Sequence, residues 1–173
     1  MWLASSRASV ADTHVRFSYA ASVVERIEPN GTPAGMRADA CDGIRRTVAQ
    51  YCQLCDDGRF DEWVDLFTTE ARFHVMGRTH VGRDAVRAFI EAGQGPDQRG
   101  RHLASDPVID LASDGRSARA WTDYVFLDKQ PKVTSVGRYH DELVAGPDGR
   151  WRFALREIVF QGKGPELTQP PPG

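Results

Sequence analysis

No run in the 173-residue chain approaches the roughly 20 consecutive apolar residues that a membrane helix requires. The N-terminal stretch MWLASSRASVADTH also lacks the apolar centre of a secretory signal. Cysteine is scarce. There are three, an odd number without the spacing of a disulfide scaffold, which points to a reducing compartment, so a cytoplasmic location is expected. Excess charge of one sign is missing too. The formal charge is −2 and arginine, which supplies nearly all the positive charge, is scattered, so the chain carries no electrostatic footprint for nucleic acid. No phosphate loop, G-x-S-x-G elbow or glycine fingerprint of a dinucleotide fold occurs, so no cofactor is expected. Cys52 and Cys55 form C-x-x-C without a second pair and lie on an apolar helix face, where two buried small residues are the simpler reading. His74 and His80 lie six apart and match no metal-ligand spacing. No metal site is expected.

What is present suits one domain with one core. Residues 1–38 are small and polar and end in a Pro/Gly-rich linker from Pro29 to Gly35. They read as a partly disordered appendage, with Met36 a candidate start of the domain and a short helix conceivable over Ser18–Ile27. The domain spans 39–162, and the Pro-rich tail 163–173 reads as disordered.

The stretch 44–67, IRRTVAQYCQLCDDGRFDEWVDLF, organises the domain. Ile44, Val48, Tyr51, Cys52 and Cys55 fall on one face of a helix expected over 39–57, and Gly58 ends it as a left-handed cap. A short helix is expected over 61–67. Strands follow at 71–77 and 78–82 around a turn at Gly77-Arg78, then a helix at 82–93 with Val86, Phe89 and Ile90 as its apolar stripe. Long strands are expected at 101–112, 117–129, 133–145 and 150–162, joined by turns at 113–116 and 146–149. Helices first and an antiparallel sheet after them make an α+β fold, with the helices laid on one face of a curved sheet.

This order resembles the nuclear transport factor 2-like superfamily, in its SnoaL-like branch. The resemblance rests on D-G-R-F-D-x-W-x-x-L-F within Tyr51–Phe67, on Gly82-Arg83-Asp84-Ala85-Val86, on His102, on Gly137-Arg138-Tyr139-His140-Asp141 and on Asp148-Gly149-Arg150-Trp151. It implies a cone: a bent, mostly antiparallel sheet wrapped around N-terminal helices, with an apolar pocket at its open end. Members commonly dimerise through the sheet, so a homodimer or higher homo-oligomer is expected.

Within that branch, the chain is similar to the scytalone dehydratase and bile-acid 7α-dehydratase types. These hold a pocket histidine on an aspartate from the first helix, beside a helix tyrosine. Carried over by position, these roles fall on His102, Asp56 and Tyr51. The scytalone enzyme's second histidine falls near Thr122, so that role is vacant or passes to Tyr124. The resemblance thus implies a cofactor-free dehydratase or isomerase acting on a hydrophobic ring compound, steroid-like or polyketide-like. Histidine titrates near neutrality and suits proton abstraction and return. A buried aspartate fixes its tautomer, and Tyr51 is placed to hydrogen-bond a developing enolate oxygen or the leaving group.

Plainer readings stand beside these. His102 fits a partly solvated histidine at a strand start, Asp56 a helix-end carboxylate facing water, and Tyr51 a core ring. Strand periodicity puts Thr122, Tyr124 and Phe126 on one face, opposite Trp121 and Asp123. The former are assigned to the pocket, with Trp63 and Phe67 beneath it. Arg138 and His140 share one face of the next strand, at the pocket mouth or, in the plainer and favoured reading, toward solvent or a dimer partner. Arg156, among apolar neighbours, is expected to pair with a carboxylate. Two further functions stay open: a binding module that holds an apolar ligand without chemistry, and the small subunit of a ring-hydroxylating oxygenase.

Overall fold

A computed structural model describes residues 34–162. The proposed N-terminal appendage, save its last five residues, and the C-terminal tail lie outside the described residues, as does the short helix considered over Ser18–Ile27.

The first helix, α1, runs over Ala34–Asp57. It begins five residues before the expected start and takes up Gly35, which the sequence suggested was linker. The apolar stripe behaves as its spacing requires: Ile44, Val48, Tyr51, Cys52 and Cys55 are all buried. Helix α1 packs on the sheet through Gly43, which leaves room for the Trp151 ring, and through Thr47, whose hydroxyl donates to the Trp151 carbonyl at 2.9 Å. The helix ends in a Schellman motif. Gly58 takes φ +70°, its N–H donates to the Cys55 carbonyl at 3.0 Å, and the Arg59 N–H reaches back to Leu54 at 2.9 Å. That stop puts Asp56 in the last turn, with its side chain buried.

Helix α2 covers Phe60–Val64, shorter than expected, because the chain already turns extended at Phe67. Strands β1 (Phe67–Val75) and β2 (Arg78–Val81) form a hairpin. Its two turn residues are Met76 and Gly77, both at positive φ, one position earlier than Gly77-Arg78. Helix α3 follows over Arg83–Gly93, with Val86 and Ile90 buried.

The remaining strands are β3 (Arg101–Ala104), β4 (Val108–Leu111), β5 (Ser117–Leu127), β6 (Val133–Ala145) and β7 (Trp151–Phe160). The seven-stranded sheet has the order β2-β1-β7-β6-β5-β3, and β4 continues the β3 edge along β5. The sheet is mixed: β1 pairs with β7 in parallel and every other pairing is antiparallel. The expected strand 101–112 is two strands. Ala104 opposes Tyr124 but Val108 opposes Trp121, so the register slips by one residue between them. Ser105 bridges the break: its N–H donates to the Asp123 carbonyl at 2.9 Å and its hydroxyl accepts from the Asp123 N–H at 3.1 Å. Pro107 has no N–H to offer the ladder. The slip lets His102 in β3 and Leu111 in β4 both turn inward, which an unbroken period of two forbids.

Candidate active site

Four elements converge at the inner end of α1. The Schellman stop delivers Asp56, β3 delivers His102, and β5 and β6 supply aromatic walls. His102 Nδ1 lies 2.6 Å from Asp56 Oδ1, and the His102 backbone N–H donates to Asp56 Oδ2 at 2.8 Å. One residue thus holds both carboxylate oxygens. Asp56 is 7 % exposed and the two bonds compensate its burial. With a carboxylate on Nδ1, that nitrogen carries the proton. Nε2 has no hydrogen-bond partner among the described residues.

The imidazole sits among rings. Phe126 lies 4.5 Å away between centroids, Tyr124 6.2 Å and Tyr51 6.5 Å. Phe126 opposes His102 in the ladder, so their contact follows from register. Gly100 permits this closeness, because a Cβ there would meet the Leu127 carbonyl and the Phe126 ring. The Tyr124 hydroxyl shares a hydrogen bond of 3.0 Å with Ser135 across β5 and β6. Thr122, Tyr124 and Phe126 turn to the helix side of the sheet, and Asp123 faces outward in an ion pair with Arg138. Thr122 is fully buried and its hydroxyl has no partner among the described residues. Trp63 and Phe67 are fully buried beneath Tyr51, at ring separations of 5.2 and 6.2 Å from it.

Tyr51 belongs to a second polar group as well. Arg156 is fully buried and makes a two-pronged ion pair with Asp141, at 2.7 and 2.6 Å. Its guanidinium lies 3.9 Å from the Tyr51 ring centroid and 4.1 Å from those of Tyr139 and Phe153. The expected carboxylate partner of Arg156 is therefore Asp141, one strand away in β6. Burial pushes the Asp141 carboxyl up, against the pull of Arg156. Burial also pushes the Tyr51 phenol up, and Arg156 only partly offsets it, so Tyr51 is a neutral donor.

Burial raises the Cys52 thiol to about 11 and pushes Cys55 further in the same direction, which leaves both inert. His74 bonds Thr79, and His80 packs on Phe89, away from the dyad. His140 lies on the outer face, 3.8 Å from Glu157.

A cleft of about 480 Å³ opens beside the dyad. Asp56, Arg99, Gly100, Arg101, Leu127, Asp128 and Lys129 are among the residues that line it. The sequence reading missed Arg99, Arg101 and Lys129, which lie at loop and strand ends where periodicity carries no signal. A second hollow, of about 290 Å³, lies on the far side of α1 among Gln50, Glu62 and Arg150. Of the expected site residues only Asp56 lines either hollow; His102, Tyr51, Trp63, Phe67, Thr122, Tyr124 and Phe126 do not. No described helix is long and apolar enough to cross a membrane.

Solved structures share this architecture. Rv3472, a protein of unknown function from Mycobacterium tuberculosis, is 26 % identical with a TM-score of 0.69, over 76 % of this chain and 78 % of that one. A protein of unknown function with a cystatin-like fold from Nostoc punctiforme is 17 % identical with a TM-score of 0.64, over 72 % and 92 %. A candidate scytalone dehydratase from Novosphingobium aromaticivorans is 20 % identical with a TM-score of 0.64, over 79 % and 99 %. The latter two likenesses establish the fold alone. No functionally curated protein matches. The SnoaL-like domain model matches residues 36–157, most of the chain, and the protein therefore belongs to the SnoaL-like domain family.

Proposed function

We propose that the protein is a dehydratase or isomerase that uses the His102–Asp56 dyad to move a proton on a hydrophobic ring substrate. The observation that carries this reading is the 2.6 Å contact between Nδ1 and the buried carboxylate, with Nε2 left unbonded. A structural histidine in a core tends to satisfy both nitrogens; a general base keeps one lone pair free.

In the proposed reaction Nε2 takes a proton from the carbon alpha to a carbonyl. Asp56 holds the ring in place while the charge is on it. Tyr51, a neutral phenol at the dyad, donates to the oxygen where the enolate charge develops. His102 then returns the proton to a departing hydroxyl, which leaves as water, or to another ring carbon, which completes an isomerisation. Phe126 and Tyr124 pack around the imidazole and give the dyad an apolar surrounding. The candidate scytalone dehydratase among the structural relatives lends support through its name.

The test is turnover of a panel of cyclic β-hydroxy ketones and β-hydroxy esters, followed by loss of water in mass spectra and by new conjugated absorbance. His102→Gln and Asp56→Asn should each reduce turnover by about 10²- to 10⁴-fold while leaving the thermal midpoint within a few degrees. Wild-type turnover in either variant refutes the mechanism. Ligand uptake without any change in mass assigns the protein to binding instead.

A further inference from the structure

We infer that Arg99 receives an anionic group of the substrate, a carboxylate or a phosphate, at the mouth of the dyad. The inference rests on the catalytic reading for the word substrate, but its test does not need turnover.

The charges of the cleft are balanced with one exception. Five ionisable side chains line it: Asp56, Arg99, Arg101, Asp128 and Lys129. Asp56 is committed to His102. Arg101 bonds Asp57 at 3.0 Å. Lys129 faces Asp97 at 3.4 Å. Asp128 accepts the backbone N–H groups of Gln130 and Lys132 at 2.8 and 3.0 Å. Arg99 alone has no carboxylate partner among the described residues. Its side chain makes one hydrogen bond, from Nε to the Gln94 carbonyl at 3.1 Å. Both terminal nitrogens, Nη1 and Nη2, are left without a partner there.

The side chain is nonetheless held in place. Its guanidinium lies 5.4 Å from the Phe60 ring centroid and so close to Gly58 that a Cβ at that position would strike it. Arg99 is half-buried. A plain electrostatic cap for the C-terminus of α1 would turn its donors onto the last carbonyls of the helix. Instead Nε is spent on a loop carbonyl, and the two remaining donors form the edge that binds carboxylate or phosphate in two parallel bonds. A guanidinium fixed by ring, glycine and carbonyl loses little freedom when an anion arrives. The cleft that Arg99 lines also reaches Asp56, so a molecule anchored there by its charged end lies beside the dyad.

The test uses two fluorescent probes with one aromatic skeleton: anilinonaphthalene sulfonate, and neutral phenylnaphthylamine. The wild type should bind the sulfonate about tenfold more tightly or better, with affinity that falls as salt rises. Arg99→Gln should weaken the sulfonate by about tenfold to a hundredfold and leave the neutral probe unchanged. Arg99→Lys should restore part of the loss. Arg101→Gln and Lys129→Gln, whose partners already neutralise them, should change it less than about threefold. Equal binding of both probes by the wild type, an unchanged Arg99→Gln variant, or equal weakening of both probes overturns the inference. His102→Gln should leave the sulfonate preference intact. A protein that keeps the Arg99-dependent preference but turns over no elimination substrate therefore loses the catalytic reading and retains the anion site.

Discussion

Replacing Asp56 by asparagine should invert the tautomer of His102. The carboxylate presents two acceptor oxygens, and His102 uses both, through its backbone N–H at 2.8 Å and Nδ1 at 2.6 Å. Asparagine has one oxygen and one amide nitrogen. The backbone N–H is a fixed donor and claims the oxygen. The amide nitrogen then faces Nδ1 as a donor and requires a lone pair there, which moves the proton to Nε2. A hydrogen bond to a charged group contributes about 1.5–3 kcal/mol, against about 0.5–1.5 for a neutral one. Because the two bonds favour opposite tautomers their energies add, and a swing of about 2–4.5 kcal/mol corresponds to a shift in tautomer ratio of roughly thirtyfold to two-thousandfold. Two-bond proton–nitrogen correlation spectra of nitrogen-labelled histidine, recorded in alkaline solution, read the tautomer without any substrate. The wild type should show Nδ1 protonated, and Asp56→Asn should show Nε2 protonated. The same proton position in both proteins refutes the reasoning, as does a wild type protonated at Nε2. If a substrate is found, turnover should fall by about 10²- to 10⁴-fold, through the tautomer and through the lost support for the imidazolium.

Three further outcomes follow from the packing. Arg156→Met leaves the Asp141 carboxylate buried and alone, and should cost about 3–5 kcal/mol in urea unfolding; adding Asp141→Leu should recover much of that loss, because an apolar pair replaces a buried ion pair at little cost. Gly58→Ala forces φ +70° on a side-chain-bearing residue and drives its Cβ into Arg99, so a loss of about 1–2 kcal/mol is expected together with weakened sulfonate binding. The Cys52 thiol is raised in the folded state to about 11 from an ordinary value near 9, so the folded protein disfavours the thiolate: stability should be level below about pH 9 and fall as pH rises toward about 11, and Cys52→Ser should flatten that limb of the urea-midpoint profile.

The helical half of the fold was legible because its signals are local. The stripe from Ile44 to Cys55 and the stop at Gly58 state a helix, its buried face and its end within fifteen residues. The inward face of β5 was equally legible from alternation, since Thr122 and Tyr124 are separated from Asp123 by a period of two. The break at Ser105 was not. Residues 101–112 alternate poorly on either side of it, and only the partner strand reveals that one residue is spent on a slip. The parallel pairing of β1 with β7 joins segments about eighty residues apart and leaves no local trace. Of the site, the Asp56–His102 contact came from resemblance, not spacing, because forty-six positions separate the two residues. Arg156 announced itself as a charge among apolar neighbours, while its partner Asp141 read as one more charge in a strand. Arg99 carried no signal at all: its significance is that the other cleft charges are matched, and that balance exists only in three dimensions.

The same slip at residues 105–107 has a bearing on solubility. A sheet edge is an invitation to another strand, and Leu103 and Val108 stand exposed on this one. The edge is nonetheless a poor template. It is cut into two four-residue pieces whose registers differ by one, so no straight strand can pair with both. Pro107 withholds an N–H at the join, and Asp106 is tied to Arg45 of α1 at 2.8 Å, a charge that an approaching chain would have to bury. The irregularity that turns His102 toward Asp56 thereby also guards the flank of the sheet against polymerisation.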